Sequence, residues 1–275
     1  MKQISALAIV LSLVFVTPAL AGDKPPFLGT GGYISMATDT IVAVDFHMPF
    51  ADDLDLFGFV PEIVAQYGFG PAAIGINLGL AVAVPDEGDT EMFVGNVGLF
   101  GKGGFCIPGA FHLCVGGQLE VSLAPFEAKN IGDIAAIAVG QVAHFRANRF
   151  GSESLVVSPA VAADLKLSIF WAQAHLGADV YYPYGCDGPG CDTETFITFG
   201  VAGGVQIFSV LAVGAGFRVY DLLTEDNTDA QGVMDIIVKL TLGPVEPSLV
   251  LAFPLDDDTN DIFPAAMSLG VAGRF

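Results

Sequence analysis

Ten polar side chains sit on otherwise apolar, alternating stretches: Arg146, Asp164, Lys166, Gln173, His175, Asp179, Arg218, Asp235, Lys239 and Arg274. Placed on the inner wall of a closed sheet, such a set has two uses. It can line an aqueous passage and select solutes by charge, or it can pair across the interior and close that passage. Both readings stand on the sequence. A third chemistry is hydrolysis, in which His144 or His175 would activate Ser158, or a water beside Asp164 or Asp179. His175 and Asp179 are four apart, which on one strand leaves them roughly 13 Å apart, too far for a hydrogen bond. No P-loop, HExxH or GxSxG pattern accompanies them. The expectation is a non-enzyme with no cofactor, and a hydrolase is the minor alternative.

Metal chemistry has little to work with. Asp256, Asp258 and Asn260 have the one-three-five spacing of a calcium loop, but Asp261 stands where Gly is required and no bidentate Glu follows. Four cysteines allow three connectivities, and the pairs Cys106 with Cys114 and Cys186 with Cys191 close the shortest loops. A shared four-thiolate metal site is the rival, disfavoured by an oxidising compartment.

The elements that must position these groups are strands. In Ala73 to Val84 the residues Ile74, Ile76, Leu78, Leu80, Val82 and Val84 share one parity, and Gly75, Asn77, Gly79, Ala81 and Ala83 the other. Val157 to Ile169 and Phe170 to Tyr182 repeat the split. A period of two is a strand. A soluble sandwich would present Lys, Glu and Thr on its second face, whereas here that face is mostly Gly and Ala with an occasional charge. Bulky apolar residues outside with small and polar ones inside is the transmembrane-barrel pattern.

Charge follows the same logic. The chain is 53% hydrophobic, with a mean hydropathy of +0.62, yet carries a net charge of −20. The acids cluster between apolar stretches: Asp52, Asp53 and Asp55; Asp86, Glu87, Asp89 and Glu91; Asp187, Asp192 and Glu194; Glu225, Asp226 and Asp229; Asp256, Asp257, Asp258 and Asp261. These are loops, kept in water by their charge. Their carboxylates are also a place for divalent cations to bridge to lipopolysaccharide phosphates. So acidic a chain excludes nucleic acid as a partner.

Lys2, the apolar stretch Ile4 to Val16 and Ala19-Leu20-Ala21 read as a signal peptide over residues 1–21. The stretch falls short of the roughly 20 residues a spanning helix needs. Residues 22–60 form an N-terminal segment, open as an extra strand at Ile41 to Phe46 or as a plug, and residues 61–275 form the barrel.

Counting by parity places strands near Pro61–Phe69, Ala73–Val84, Glu91–Gly104, Phe111–Ala124, Ile134–Arg146, Leu155–Leu165, Ile169–Tyr182, Thr195–Gln206, Val210–Leu222, Gly232–Leu242, Pro247–Phe253 and Pro264–Phe275. The expected fold is an all-β, single antiparallel transmembrane barrel of about 12 strands, with 10 to 14 open. Back from Phe275 the connections alternate long and short as far as Ile169. Nearer the N-terminus Gly68 to Pro71 is too short, and Pro85 to Thr90 too long, for their assigned sides.

The signal, the alternating strands and the terminal Met267-Ser-Leu-Gly-Val-Ala-Gly-Arg-Phe275 together resemble the outer-membrane β-barrel class of Gram-negative bacteria, in a porin-like form. The resemblance implies outer-membrane localisation after export, lipid and lipopolysaccharide as surroundings, and the barrel-assembly machinery as a partner during biogenesis. Leu269, Val271 and Phe275 would carry the assembly signal, and Gly273 departs from the bulky residue common at that place. The expected function is a passive channel for small solutes with a mixed-charge lumen. The alternative is a closed structural or surface-binding barrel with acidic loops.

Overall fold

The computed structural model describes residues 33–50, 56–85, 89–107, 111–144, 150–184, 192–208, 210–223, 230–256 and 263–275. Thirteen strands run antiparallel: β1 (Ile41–Phe50), β2 (Leu56–Gly68), β3 (Ala72–Pro85), β4 (Glu91–Val94), β5 (Val97–Ile107), β6 (Phe111–Ala124), β7 (Ser154–Leu167), β8 (Phe170–Pro183), β9 (Glu194–Ile207), β10 (Leu211–Leu222), β11 (Gln231–Leu240), β12 (Val245–Pro254) and β13 (Ala265–Arg274). Each pairs with its neighbour, and β1 pairs with β13 from Ile41 opposite Arg274 to Phe50 opposite Ala265, so the sheet closes. β4 and β5 both pair with β3 and are one barrel strand interrupted at Gly95-Asn96. The barrel is therefore twelve-stranded.

The count matches the expectation, but two members differ. Ile41–Phe50 is a strand, the extra strand left open at Ile41 to Phe46, so the barrel begins at Ile41 and not at Pro61. Val42, Val44, Phe46 and Met48 point outward and Ala43, Asp45 and His47 inward, and two ionisable groups within a ten-residue run dilute its apolar signal. Ile134 to Arg146 is not a strand. Residues Ile131–His144 form a helix, α1, in the connection between β6 and β7. Alternation misled because Ala-rich sequence fits both periods, and alanine's helix propensity is the highest of all residues. The burial has the helical period: Ala136, Val139, Gly140 and Ala143 are buried while Ile131 and Ile134 are exposed. Asn130 caps the first turn, its Oδ1 accepting from the Asp133 N–H at 2.8 Å.

With those corrections the connections alternate around the whole barrel. Five short turns (69–71, 108–110, 168–169, 208–210 and 241–244) lie at the end that holds Thr40 and Phe275, and six longer connections lie at the other. Gly70 and Gly243 adopt positive φ, +78° and +66°, within the first and last of these turns. The five turns contain no charged residue, and the acidic runs fall in or at the edges of the six longer connections.

Outside, the barrel is apolar. Ile63, Ile74, Ile76, Leu99, Leu119, Val161, Leu176 and Val271 are exposed along its middle. Exposed aromatics collect at both rims, Tyr67, Phe69, Phe170 and Phe208 at the turn end and Phe50, Phe57, Tyr182 and Tyr184 at the loop end. A lipid-facing belt between two aromatic girdles has this form.

Inside, α1 lies across the loop-end mouth against the inner faces of β2, β3 and β4. Val60, Ala81, Ala83, Phe93, Ala136, Val139, Ala143 and Phe150 form one apolar cluster, and Val142 reaches Val233, Ala252 and Ala266 on the far wall. The Phe150 ring fills the space above Gly79, Gly95 and Gly140, where any added Cβ would collide with it. Truncating this ring should loosen the helix: Phe150→Ala is expected to cost about 3 kcal/mol, read as a lower urea midpoint of the folded, heat-modifiable band. Ile134→Ala, on the exposed face, should cost less than about 0.5 kcal/mol.

Candidate functional site: the barrel lumen

The lumen is built by the second parity of each strand. All five basic residues on barrel strands, Lys102, Lys166, Arg218, Lys239 and Arg274, are buried there. So are Asp45, Glu62, Glu120, Asp164, Asp179, Asp235 and Glu246, with His47, Gln66, Asn77, Gln173, His175 and Gln206. A charge aimed at lipid is costly, so the inward face is the only place these strands can hold one. Of the ten polar residues singled out by sequence, nine line this interior. Arg146 lies outside the described residues.

The structure joins charges that the sequence could only collect. Arg218 grips Asp235 with two hydrogen bonds, Nε to Oδ2 and Nη2 to Oδ1, both 2.7 Å. Lys239 Nζ meets Glu246 Oε2 at 2.8 Å. Arg274 lies 2.7 Å from Asp39 through Nε and 3.6 Å from Glu246 through Nη1. Asn77 donates to Glu120 at 2.9 Å.

Between these groups runs a strap, residues 33–40, which enters β1 from inside the lumen. Its Tyr33 hydroxyl donates to Asp235 Oδ2 at 2.5 Å. Burial, followed by the Asp235 carboxylate, pushes that hydroxyl above the ordinary phenol range, so it stays protonated as a donor. Ser35 Oγ and the Met36 N–H both donate to Asp164 Oδ2 at 2.8 Å. Lys102 Nζ donates to the Ser35 carbonyl at 2.8 Å. Gln66 Nε2 donates to the carbonyls of Ala37 and Asp39, at 3.0 and 2.6 Å. At the turn end, Thr40 and Phe275 exchange main-chain hydrogen bonds.

Register sets His175 four residues along β8 from the position opposite Ser158. Ser158 is on β7 opposite the loop-end half of β8, whereas His175 pairs across from Ala162 and meets the Tyr33 ring edge-on at 6.1 Å. His144 closes α1 and is not on the wall. A row that the sequence reading missed has more of the form: Ser268 Oγ is 2.6 Å from His47 Nδ1, and His47 Nε2 is 3.4 Å from Glu62. β13 is paired along both edges around Ser268, which commits the main-chain donors that an oxyanion would need.

Cys106 and Cys114 form the expected disulfide, directly opposite each other across the β5–β6 hairpin. Cys186 and Cys191 lie outside the described residues, as do Asp258 and Asn260; Asp256 is half-buried at the end of β12. Leu269 and Val271 face outward and are exposed. The ring of Phe275 folds over Gly273, in the space where that residue's Cβ would stand.

Tyr33, Asp39, Asp45, His47, Glu62, Gln66, Gln206 and Glu246 also belong to the lumen and were not singled out from sequence. Asp45 and His47 alternate within IVAVDFHMPF, and Glu62 and Gln66 within LFGFVPEIVAQYG. That alternation was the available signal.

No family model matches the sequence, and no curated protein matches it. Solved structures do. An outer-membrane channel from Pseudomonas putida F1 superposes with a TM-score of 0.61 at 12% identity, over 90% of this chain and 100% of that one. The NanC porin gives 0.54 at 7% identity, over 84% and 100%. The chain has the fold of a porin-like outer-membrane barrel. The β domain of the Bordetella autotransporter BrkA shares that architecture, with a TM-score of 0.50 at 12% identity over 87% of this chain and 100% of the domain. Since one fold serves a channel and an autotransporter, the function of this porin-like barrel rests on its lumen.

Removing one partner of the Arg218–Asp235 pair should be far worse than removing both. Asp235→Ala is expected to cost about 3 kcal/mol in urea unfolding, because it strips a buried guanidinium of its carboxylate. Adding Arg218→Met in the same chain should recover most of that loss, and a double-mutant cycle reads the difference.

Proposed function

We propose that the protein is an outer-membrane channel for small hydrophilic solutes, with its ion preference set by the charges on its inner wall. The polar wall carries this reading. Asp45, Glu62, Asn77, Glu120, Gln173 and Asp179 line a polar interior of the kind that water-filled barrels carry. Small residues between them, Gly98, Gly116, Ala160, Ala162, Gly200 and Ala202, leave the width of the twelve-stranded ring to longer side chains, Asn77 lying over Gly98, Met36 over Gly116 and His175 over Gly200.

Two features narrow that width. α1 crosses the loop-end mouth, and the strap with its Arg218–Asp235 and Arg274–Asp39 anchors crosses the turn-end half. A channel so built passes small solutes slowly and is read by its constriction. Its described inner wall holds more acids than bases, and the acidic runs stand at the loop end. Both favour cations.

In a planar bilayer with a salt gradient, the refolded full chain is expected to give small, stable conductance steps with a cation-selective reversal potential. Glu62→Gln with Glu120→Gln should lower the cation-to-anion permeability ratio by about twofold or more. Silence from folded, inserted protein across a wide voltage range would sink the channel reading.

A further inference from the structure

The strap is bound as a ligand would be. Four of its lumen contacts touch only main-chain atoms: Lys102 to the Ser35 carbonyl, Gln66 to those of Ala37 and Asp39, and Asp164 to the Met36 N–H. Groups that read a backbone are indifferent to the side chains it carries, and they fit any extended peptide of the same direction. Beside the Ser35 hydroxyl on Asp164 and the Asp39 carboxylate on Arg274, two larger side chains fill seats of their own. The Tyr33 ring sits among Trp171, Ala202, Ala212 and Ile237, with the Arg218 guanidinium carbon 5.6 Å from its centroid. Met36 packs on Cys114 and Ala162.

Glycines shape both seats. An added Cβ at Gly216 would strike the Tyr33 hydroxyl, and one at Gly116 would strike the Met36 sulfur. An aromatic seat and an apolar seat three residues apart, joined by backbone-reading donors and an acceptor, make a peptide site with a register.

Resting on the channel reading, we propose that the lumen is a binding path for short extended peptides carrying an aromatic residue followed three positions later by an apolar one, and that the strap is its tethered occupant. Solute and strap compete for Lys102, Gln66, Asp164 and Asp235. The strap's intramolecular attachment gives it a high effective concentration, so a free peptide enters only when the strap's grip is weakened.

Trp171 is the only tryptophan in the chain and belongs to the aromatic seat, so its fluorescence reports occupancy without any need for conduction. The full chain carrying Tyr33→Ala and Met36→Ser keeps every wall residue, and its folding is checked by heat-modifiable migration. Titration with acetyl-Tyr-Ile-Ser-Met-Ala-Thr-amide should give a saturable change in Trp171 emission. The analogue with Ala at the aromatic and apolar places should need at least tenfold more peptide, and the unmutated protein should respond to neither.

In bilayers the same peptide, added to the turn-end side, should block the variant's current with the same order of potency. No emission change up to millimolar peptide, or equal responses to both peptides, overturns the proposal. Conductance without peptide discrimination leaves the channel standing and removes the peptide. Peptide discrimination without conductance removes the channel reading while keeping the site.

Discussion

In lipid, every main-chain N–H and C=O must find its partner within the protein, and a sheet can meet that demand only by closing on itself. The pairing of β1 with β13 is where this chain meets it. Without that ladder both strands would present unsatisfied edges to hydrocarbon. Closure also defines an inside, and the inside gives buried charges somewhere to stand. The strap reaches its anchors because residue 40 must enter β1 at the turn-end rim, beside Phe275.

Period-two alternation made most of the wall legible, because one face meets lipid and tolerates little variety. Nine of the ten singled-out residues face inward for that reason. Alternation loses its meaning where a different solvent applies. α1 lies in the lumen, against Val60, Ala81 and Phe93, so its apolar stripe answers to a protein surface and not to lipid. Ala-rich sequence with one buried stripe satisfies both periods, and the Asn130 cap that starts the helix belongs to the folded structure. The break at Gly95-Asn96 likewise shifts parity within one barrel strand, from Phe93 inward to Gly98 inward, which simple counting does not anticipate.

The strap was legible only as a question. Its residues, Tyr33-Ile-Ser-Met-Ala-Thr-Asp-Thr40, have no period and no motif. Their partners lie far along the chain, Asp164 and Asp235 among them, and such pairings exist only once the barrel has closed. The same holds for Arg218 with Asp235: parity placed both inside, while their two-pronged contact depends on the register of β10 against β11, in which Gly216 faces Asp235 and Arg218 faces Val233. Parity supplied part of the lumen's inventory, and register its wiring.

The two rims differ in a way that outlasts folding. One carries turns with no ionisable side chain, and the other carries connections dense in aspartate and glutamate. Turning the assembled barrel over would drag those carboxylates through hydrocarbon, at a free-energy cost that rises with every one of them. The molecule is therefore a one-way insert, and its sidedness is a kinetic property held by the chemistry of its loops for as long as the barrel stays closed.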